Sequence, residues 1–315
     1  MLINGPVNIV KLNGNANGVN KTLNIFFDFH NKISKCDQEP NINIEKYLEN
    51  KFNNSKSRLD FYLEITKSNF ENSNFAKNSY LEEVSKLFKN NKQLFPFVKF
   101  HCIDIREEES SYDTCIENIC NIIENSLDAN LSNSEIDEIN NNLNKIKKNI
   151  IQLKINIASL FNNQTLNNYI QNFINHKIDL IIKLIKKIKK EVKMKIPNDR
   201  FNKSVKYGTH YNVYYKIGSL ILQIYLYIMD THFINKFLNN DKTTDGIVYA
   251  GGSHCVDYIF ILVKYFDFKI VNVSNNSNDT NFIQNITEKI NNIKSPFILE
   301  KYFIPESIKQ CSLEI

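Results

Sequence analysis

The chain has 315 residues, of which 42% are hydrophobic, and its net charge is +5 from 39 basic and 34 acidic residues. That is enough apolar material for one large domain or two small ones, and it excludes an intrinsically disordered chain. The mild positive charge makes no demand for nucleic acid as a partner. Asparagine, isoleucine and lysine dominate, while glycine (8) and proline (6) are scarce. The apolar periodicity running through the asparagines speaks against a prion-like segment.

In chain order, residues 7–12 form a first expected strand, followed by turn signals at Asn13-Gly14 and Asn17-Gly18. Residues 22–29 form a strong strand, 43–52 a weak helix and 58–66 a strand. A helix over 78–90 carries Tyr80, Leu81, Val84, Leu87 and Phe88 at helical spacing, and 96–106 is a third strand. A helix is expected at about 111–127. From 132 to 197 the pattern is a long helical hairpin ended by Pro197. Its stripes are Ile146, Ile150, Leu153, Ile157 and Leu160, then Ile174, Ile178, Ile181, Ile185, Ile188 and Val192. An apolar helix over 208–239 follows, then a strand at 246–250, a helix at 255–266, a strand at 269–273 and a helix at 280–292.

Strands alternating with helices indicate an α/β fold: a mainly parallel sheet flanked by helices, with a long inserted helical hairpin. The expected division is 1–131, first half of the α/β domain; 132–197, the hairpin; and 198–315, the second half. No apolar stretch reaches the ~18–20 residues of a transmembrane helix, and the N-terminus shows no signal-peptide pattern. The expected location is intracellular. The six cysteines (36, 102, 115, 120, 255 and 311) show no C-x-x-C pair. They read as reduced thiols in a reducing compartment.

The strand ends carry the chemistry. Asp28 and His30 form D-x-H, and two residues apart on a strand share a face. The acid can then orient the imidazole, or both can bind one metal. Glu64 sits near the carboxyl end of the 58–66 strand, and Asp104 and Arg106 lie at the end of the third. Gly251, Gly252, Ser253 and His254 make a strand-to-helix turn whose small residues and free N–H groups suit an anion. It is neither a P-loop nor a nucleophile elbow. In a parallel sheet these residues gather at the carboxyl edge, where open α/β sheets bind ligands. A lysine face (183, 186, 187, 189, 190, 193 and 195) reads first as solvated, and second as a contact for an acidic partner. Nucleic acid is not expected there, since no RNA-binding aromatic signature accompanies it.

The series Phe27-Asp28-Phe29-His30, Leu63-Glu64, Asp104-Ile105-Arg106, Asp230 and Tyr249-Ala250-Gly251-Gly252-Ser253-His254 is similar to uncharacterised proteins of large DNA viruses. More remotely it resembles the superfamily of TIKI proteases, TraB and ChaN proteins and erythromycin esterases. Those carry G-x-x-H or G-E-x-H at a first strand end, Glu at a second and G-x-x-H before a late helix. His30, Glu64 and His254 fall at matching places; the family's first glycine and the Glu of G-E-x-H are missing here.

The resemblance implies an α/β hydrolase of ester or amide bonds acting on a small-molecule or peptide substrate. It implies His30, Glu64 and His254 either as ligands of a divalent metal, Mn or Zn, or as acid/base groups. Asp28 and Arg106 complete the expected catalytic set, and Asp104, Asp230 and Ser253 would line the substrate. Two rival readings stay open: a non-catalytic virion or host-interaction protein that retains the fold, and a metallophosphoesterase, whose G-D-x-x-D and G-N-H-E segments are absent here.

Overall fold

Asn17 and Gly18 both take positive φ, 53° and 82°, the backbone that a two-residue hairpin needs. They join β2 (Asn8–Ala16) to β3 (Val19–Asp28), antiparallel in register from Asn8 opposite Phe27 to Ala16 opposite Val19. The other expected turn, Asn13-Gly14, lies inside β2. Gly14 serves close packing there, because a Cβ would sit 2.4 Å from the Phe268 ring.

These are observations on a computed structural model, which describes residues 1–75, 77–106, 115, 117–119, 121, 122, 132–157, 161–192, 200–276, 279–305 and 309–315. Most of the helix expected over 111–127 lies outside these residues, as do Cys120, Leu160, Lys193, Lys195 and Pro197.

The chain divides into two compact units, one of residues Met1–Asp104 and His232–Ile315, the other of Ile105–Thr231. The second is wider than the 132–197 hairpin read from the sequence. The first unit holds a six-stranded sheet that adds β5 (Leu59–Thr66), β6 (Val98–Asp104), β7 (Asp245–Gly251) and β8 (Lys269–Val273) to β2 and β3. Its order is β6-β5-β7-β3-β2-β8. β6, β5, β7 and β3 run parallel, and β2 runs against both its neighbours. The protein is therefore α/β with a mainly parallel sheet flanked by helices.

Helix α1 (Ile44–Asn53) buries Ile44, Tyr47, Leu48 and Phe52, spaced as one helical face. After the short α2 (Lys67–Glu71), α3 (Tyr80–Asn91) starts at Ser79, whose hydroxyl accepts the Glu82 N–H at 3.0 Å. It buries Tyr80, Leu81, Val84 and Phe88. Both helices contribute to a core with Phe26, Phe61, Leu63, Ile247 and Tyr249 of the sheet. Phe61 lies at its centre, with ring centroids 5.0 Å from Phe52, 6.0 Å from Phe88 and 5.8 Å from Phe100. Helix α7 (Gly252–Phe266) packs on β2, β3 and β7 and is buried from His254 to Cys255, Val256 and on through Val263, except Asp257.

The sequence reading missed a second, three-stranded sheet, β4-β1-β9, made of β4 (Asn41–Asn43), β1 (Leu2–Asn4) and β9 (Cys311–Leu313). Strands of three residues are too short to show a period of two. Beside it the structure corrects the reading of six reduced thiols: Cys36 and Cys311 form a disulfide across 275 residues of sequence. Such bonds persist in oxidising surroundings. Among the described residues, Cys102, Cys115 and Cys255 form no disulfide.

The second unit contains α4 (Asn133–Ile157), α5 (Gln164–Val192) and most of α6 (Arg200–Leu238). α4 buries Ile139, Leu143, Ile146 and Ile150, while Leu153 is half-buried. α5 buries Ile174, Ile178, Ile181, Ile185 and Ile188, with Lys183, Lys186, Lys187 and Lys190 turned to solvent. Within α6, Tyr214–Leu238 is long and apolar enough, by length and composition, to cross a membrane, contrary to the sequence reading. Some 61% of its apolar window is buried within the protein, as in a core helix. The first unit is completed by α8 (Thr280–Asn292) and α9 (Glu300–Phe303).

Two stability predictions follow from this packing. Phe61→Ala removes the centre of the aromatic core and lowers unfolding free energy by about 3–5 kcal/mol. Cys36→Ser lowers it by about 2–4 kcal/mol, and reductant shifts the wild type by a similar amount. Urea unfolding with and without reductant checks the second; coincident wild-type midpoints would contradict it.

Candidate active site

Three adjacent parallel strands end abreast. Asp28 of β3 lies in register with Gly251 of β7, and Leu63 of β5 lies in register with Tyr249. The carboxyl edge therefore brings together side chains from residues 28, 64 and 254.

The buried Glu64 carboxylate lies between two imidazoles. Its Oε1 is 3.3 Å from His254 Nε2, and its Oε2 is 3.6 Å from His30 Nε2. Oε2 also accepts the Gly251 N–H at 2.6 Å. Burial alone would raise the Glu64 carboxyl. The His254 ring, then the His30 ring and the Gly251 N–H, outweigh burial and hold it down at about 2. Glu64 is thus anionic at neutral pH. Its contribution to stability is present above the ordinary carboxylate value and lost as pH falls toward about 2.

His30 is held from its other side. Its Nδ1 donates to Asp28 Oδ2 at 3.0 Å, and its backbone N–H donates to the same oxygen at 2.8 Å. Asp28 Oδ1 in turn accepts from the Tyr249 hydroxyl at 2.8 Å. This corrects the strand-face account of D-x-H. β3 stops at Asp28, and His30 sits past the strand end at φ 58°, in a turn that the Asp28 side chain closes. A non-glycine residue held in the left-handed region costs energy and is characteristic of functional sites. The Asp28 hydrogen bond raises the His30 pKa above its ordinary value; burial opposes this, and Glu64 supports it. His30 is also the exposed member: 45% of its side chain is accessible, against 10% for His254 and 2% for Glu64.

Gly251 is required by close approach, since a Cβ would lie 2.7 Å from His30 Nε2 and 3.2 Å from Glu64 Oε2. The segment after His30 is clamped by Gln310, whose Oε1 accepts the Ile33 N–H at 2.7 Å and whose Nε2 donates to the Asn31 carbonyl at 2.6 Å. Tyr249, Gly251 and Gln310 were not singled out as individual site residues from the sequence. Tyr249 and Gly251 lay in the strand-end motif already noted; Gln310, near the other end of the chain, gave no signal at all.

Of the other expected residues, Ser253 donates to Glu300 Oε1 at 2.9 Å. Asp104 stands half-buried at the end of β6, in register with Thr66. Arg106 and the fully buried Asp230 belong to the second unit. His101, read as structural, lies 2.9 Å from Asp60 and stacks on Tyr62, toward the other end of β5.

The resemblance implied, as one alternative, a divalent metal on His30, Glu64 and His254. Among the described residues, no group of three or more His, Cys, Asp or Glu side chains is disposed to hold a metal ion. Glu64 gives one oxygen to each ring, so the three residues form a line of contacts about the carboxylate.

A model of a family of unknown function, DUF5847, matches residues 1–207 and 98–314. The chain belongs to this family. It is 26% identical to the uncharacterised protein R706 of Acanthamoeba polyphaga mimivirus, over 99% of this chain and 94% of that protein. The uncharacterised protein R161 of the same virus is likewise 26% identical, over 98% and 95%. Protein R129 is 37% identical over 34% of this chain and 74% of its own length. No solved structure matches.

Asp28→Asn should lower the His30 pKa, measured by NMR titration of its imidazole. The stability tied to this ring is present below the ordinary histidine value and lost as pH rises through the raised one. The variant should therefore lose part of that pH dependence; an unchanged His30 titration would contradict the assignment.

Proposed function

We propose that this DUF5847 member is a hydrolase of an ester or amide bond, with the His30–Glu64–His254 cluster as its active centre. The observation that carries the reading is the convergence of two histidines far apart in sequence on one buried anionic carboxylate at the carboxyl edge of the sheet. The order of strand-end residues, which resembles that of TIKI, TraB and erythromycin-esterase proteins, supports the same class.

His30 is the proton-transfer group. It is accessible, its Nδ1–H is fixed on Asp28, and its Nε2, 3.6 Å from Glu64 Oε2, is the nitrogen that exchanges a proton with water or a leaving group. Glu64 and Asp28 stabilise its cationic form, as a buried acid does for an imidazole that gains a proton during turnover. His254 holds the opposite oxygen of Glu64 and keeps that carboxylate ionised. The N-terminus of α7, beginning at Gly252, offers backbone N–H groups to a developing oxyanion.

One observation favours a second reading, with Mn or Zn joining the cluster. The 3.3 and 3.6 Å separations are longer than the ~2.7–2.9 Å of charge-assisted hydrogen bonds. Imidazole nitrogen and carboxylate oxygen are suitable ligands for either ion. A Lewis acid there would polarise a carbonyl or activate a water.

A screen of esters, peptides and phosphoesters tests the proposal. Wild type should hydrolyse an ester or amide, with His30→Ala reducing the rate about 10²–10⁴-fold, the range for loss of a general acid–base group. Metal analysis of purified protein, with and without His254→Ala, separates the two readings: activity that survives chelation supports the first. Wild-type turnover matched by His30→Ala, or turnover of phosphoesters alone, would overturn the hydrolase proposal.

A further inference from the structure

The opposite edge of the sheet holds a cavity of about 420 Å³. It is lined by Arg58, Lys92, Lys99 and Lys242, with Phe97, Phe100, Asn240 and Thr243 among the remaining residues. Arg58 immediately precedes β5, Lys99 lies at the start of β6, and Thr243 comes just before β7. The cavity therefore opens at the amino ends of the parallel strands. Six residues of strand separate Arg58 from Glu64, about 20 Å at ~3.3 Å per residue.

Four cationic side chains line the cavity, and among the described lining residues none is acidic. The Asp60 carboxylate that Asn240 meets is buried and engaged by His101. All four cations are exposed, and none has an ion-pair partner among the described residues. Like charges gathered around one concavity repel one another and raise the local concentration of anions.

The floor is fixed from beneath. Asn240 donates from Nδ2 to Asp60 and to the Thr243 hydroxyl. Asp60 is buried and engaged by His101 at 2.9 Å. The buried Lys21 ammonium donates to the carbonyls of Asn240 and Thr243. The segment carrying Asn240, Lys242 and Thr243 is thereby anchored to the strands. One wall is aromatic: Phe97 is 48% exposed, a flat apolar surface beside the cations. The volume is within the ~300–1,000 Å³ range of small-ligand sites.

We propose that this cavity binds a nucleotide, with Arg58, Lys92, Lys99 and Lys242 facing its phosphates and Phe97 stacking on its base. Arginine and lysine are the side chains that recognise phosphate, and every base presents a π face to an aromatic ring. A bare anion site would leave the Phe97 ring without a role. The inference does not rest on the hydrolase reading, because the cavity shares no residue with the His30–Glu64–His254 cluster.

Isothermal titration with ATP, pyrophosphate and adenosine tests it, on wild type, Phe97→Ala and the double variant Lys99→Glu, Lys242→Glu. All three changes are at exposed positions, and thermal unfolding checks that the variants fold. ATP should bind wild type, more weakly as salt rises, and at least tenfold more weakly to the double variant. Phe97→Ala should weaken ATP several-fold and leave pyrophosphate unchanged. Absence of ATP binding at millimolar concentration, or equal affinity of wild type and the double variant, would overturn the proposal. Equal affinity for ATP and pyrophosphate would overturn the nucleotide assignment.

Discussion

A buried charge must be compensated, and in this protein that requirement falls on Glu64. The carboxylate is almost inaccessible, yet it is anionic because two imidazoles and one backbone N–H meet it. The compensating groups come from two distant stretches of chain: His30 from the turn after β3, and Gly251 and His254 from the junction of β7 and α7. The parallel register of β3, β7 and β5 is what places them together. Removing any one of them leaves charge in a nearly dry place.

The supports of His30 extend that constraint outward. Asp28 holds the ring through Nδ1 and the backbone through the amide, and Tyr249 fixes Asp28. Gln310 ties down the next residues, and the Cys36–Cys311 bond joins the same segment to β9. The small second sheet thereby anchors the turn that carries the exposed imidazole. A left-handed His30 survives because its surroundings over-determine it.

The long elements were legible in the sequence, because β3, β5, β7 and α7 are apolar runs bounded by clear breaks. The strand-end residues Asp28, His30, Glu64 and His254 were also legible, since a parallel sheet collects such ends at one edge. What was hidden has physical causes. The three strands of the small sheet are too short to show alternation, and the Cys36–Cys311 pairing spans 275 residues with no local signature. The turn at His30 looked like continued strand because Phe29 extends the apolar run. Gly14 looked like a turn because its close approach to Phe268 is a tertiary fact. The basic cavity was invisible for the same reason: Arg58 before β5, Lys92 and Lys99 around the start of β6, and Lys242 before β7 come from three separate stretches of chain.

The most direct measurement of the central claim is the titration of the His30 imidazole in Glu64→Gln beside wild type. With the buried carboxylate neutralised, the His30 pKa should fall, because one of the charges favouring its protonated form is gone. An identical titration in the two proteins would contradict the account, since it would mean that Glu64 and His30 do not share one electrostatic site.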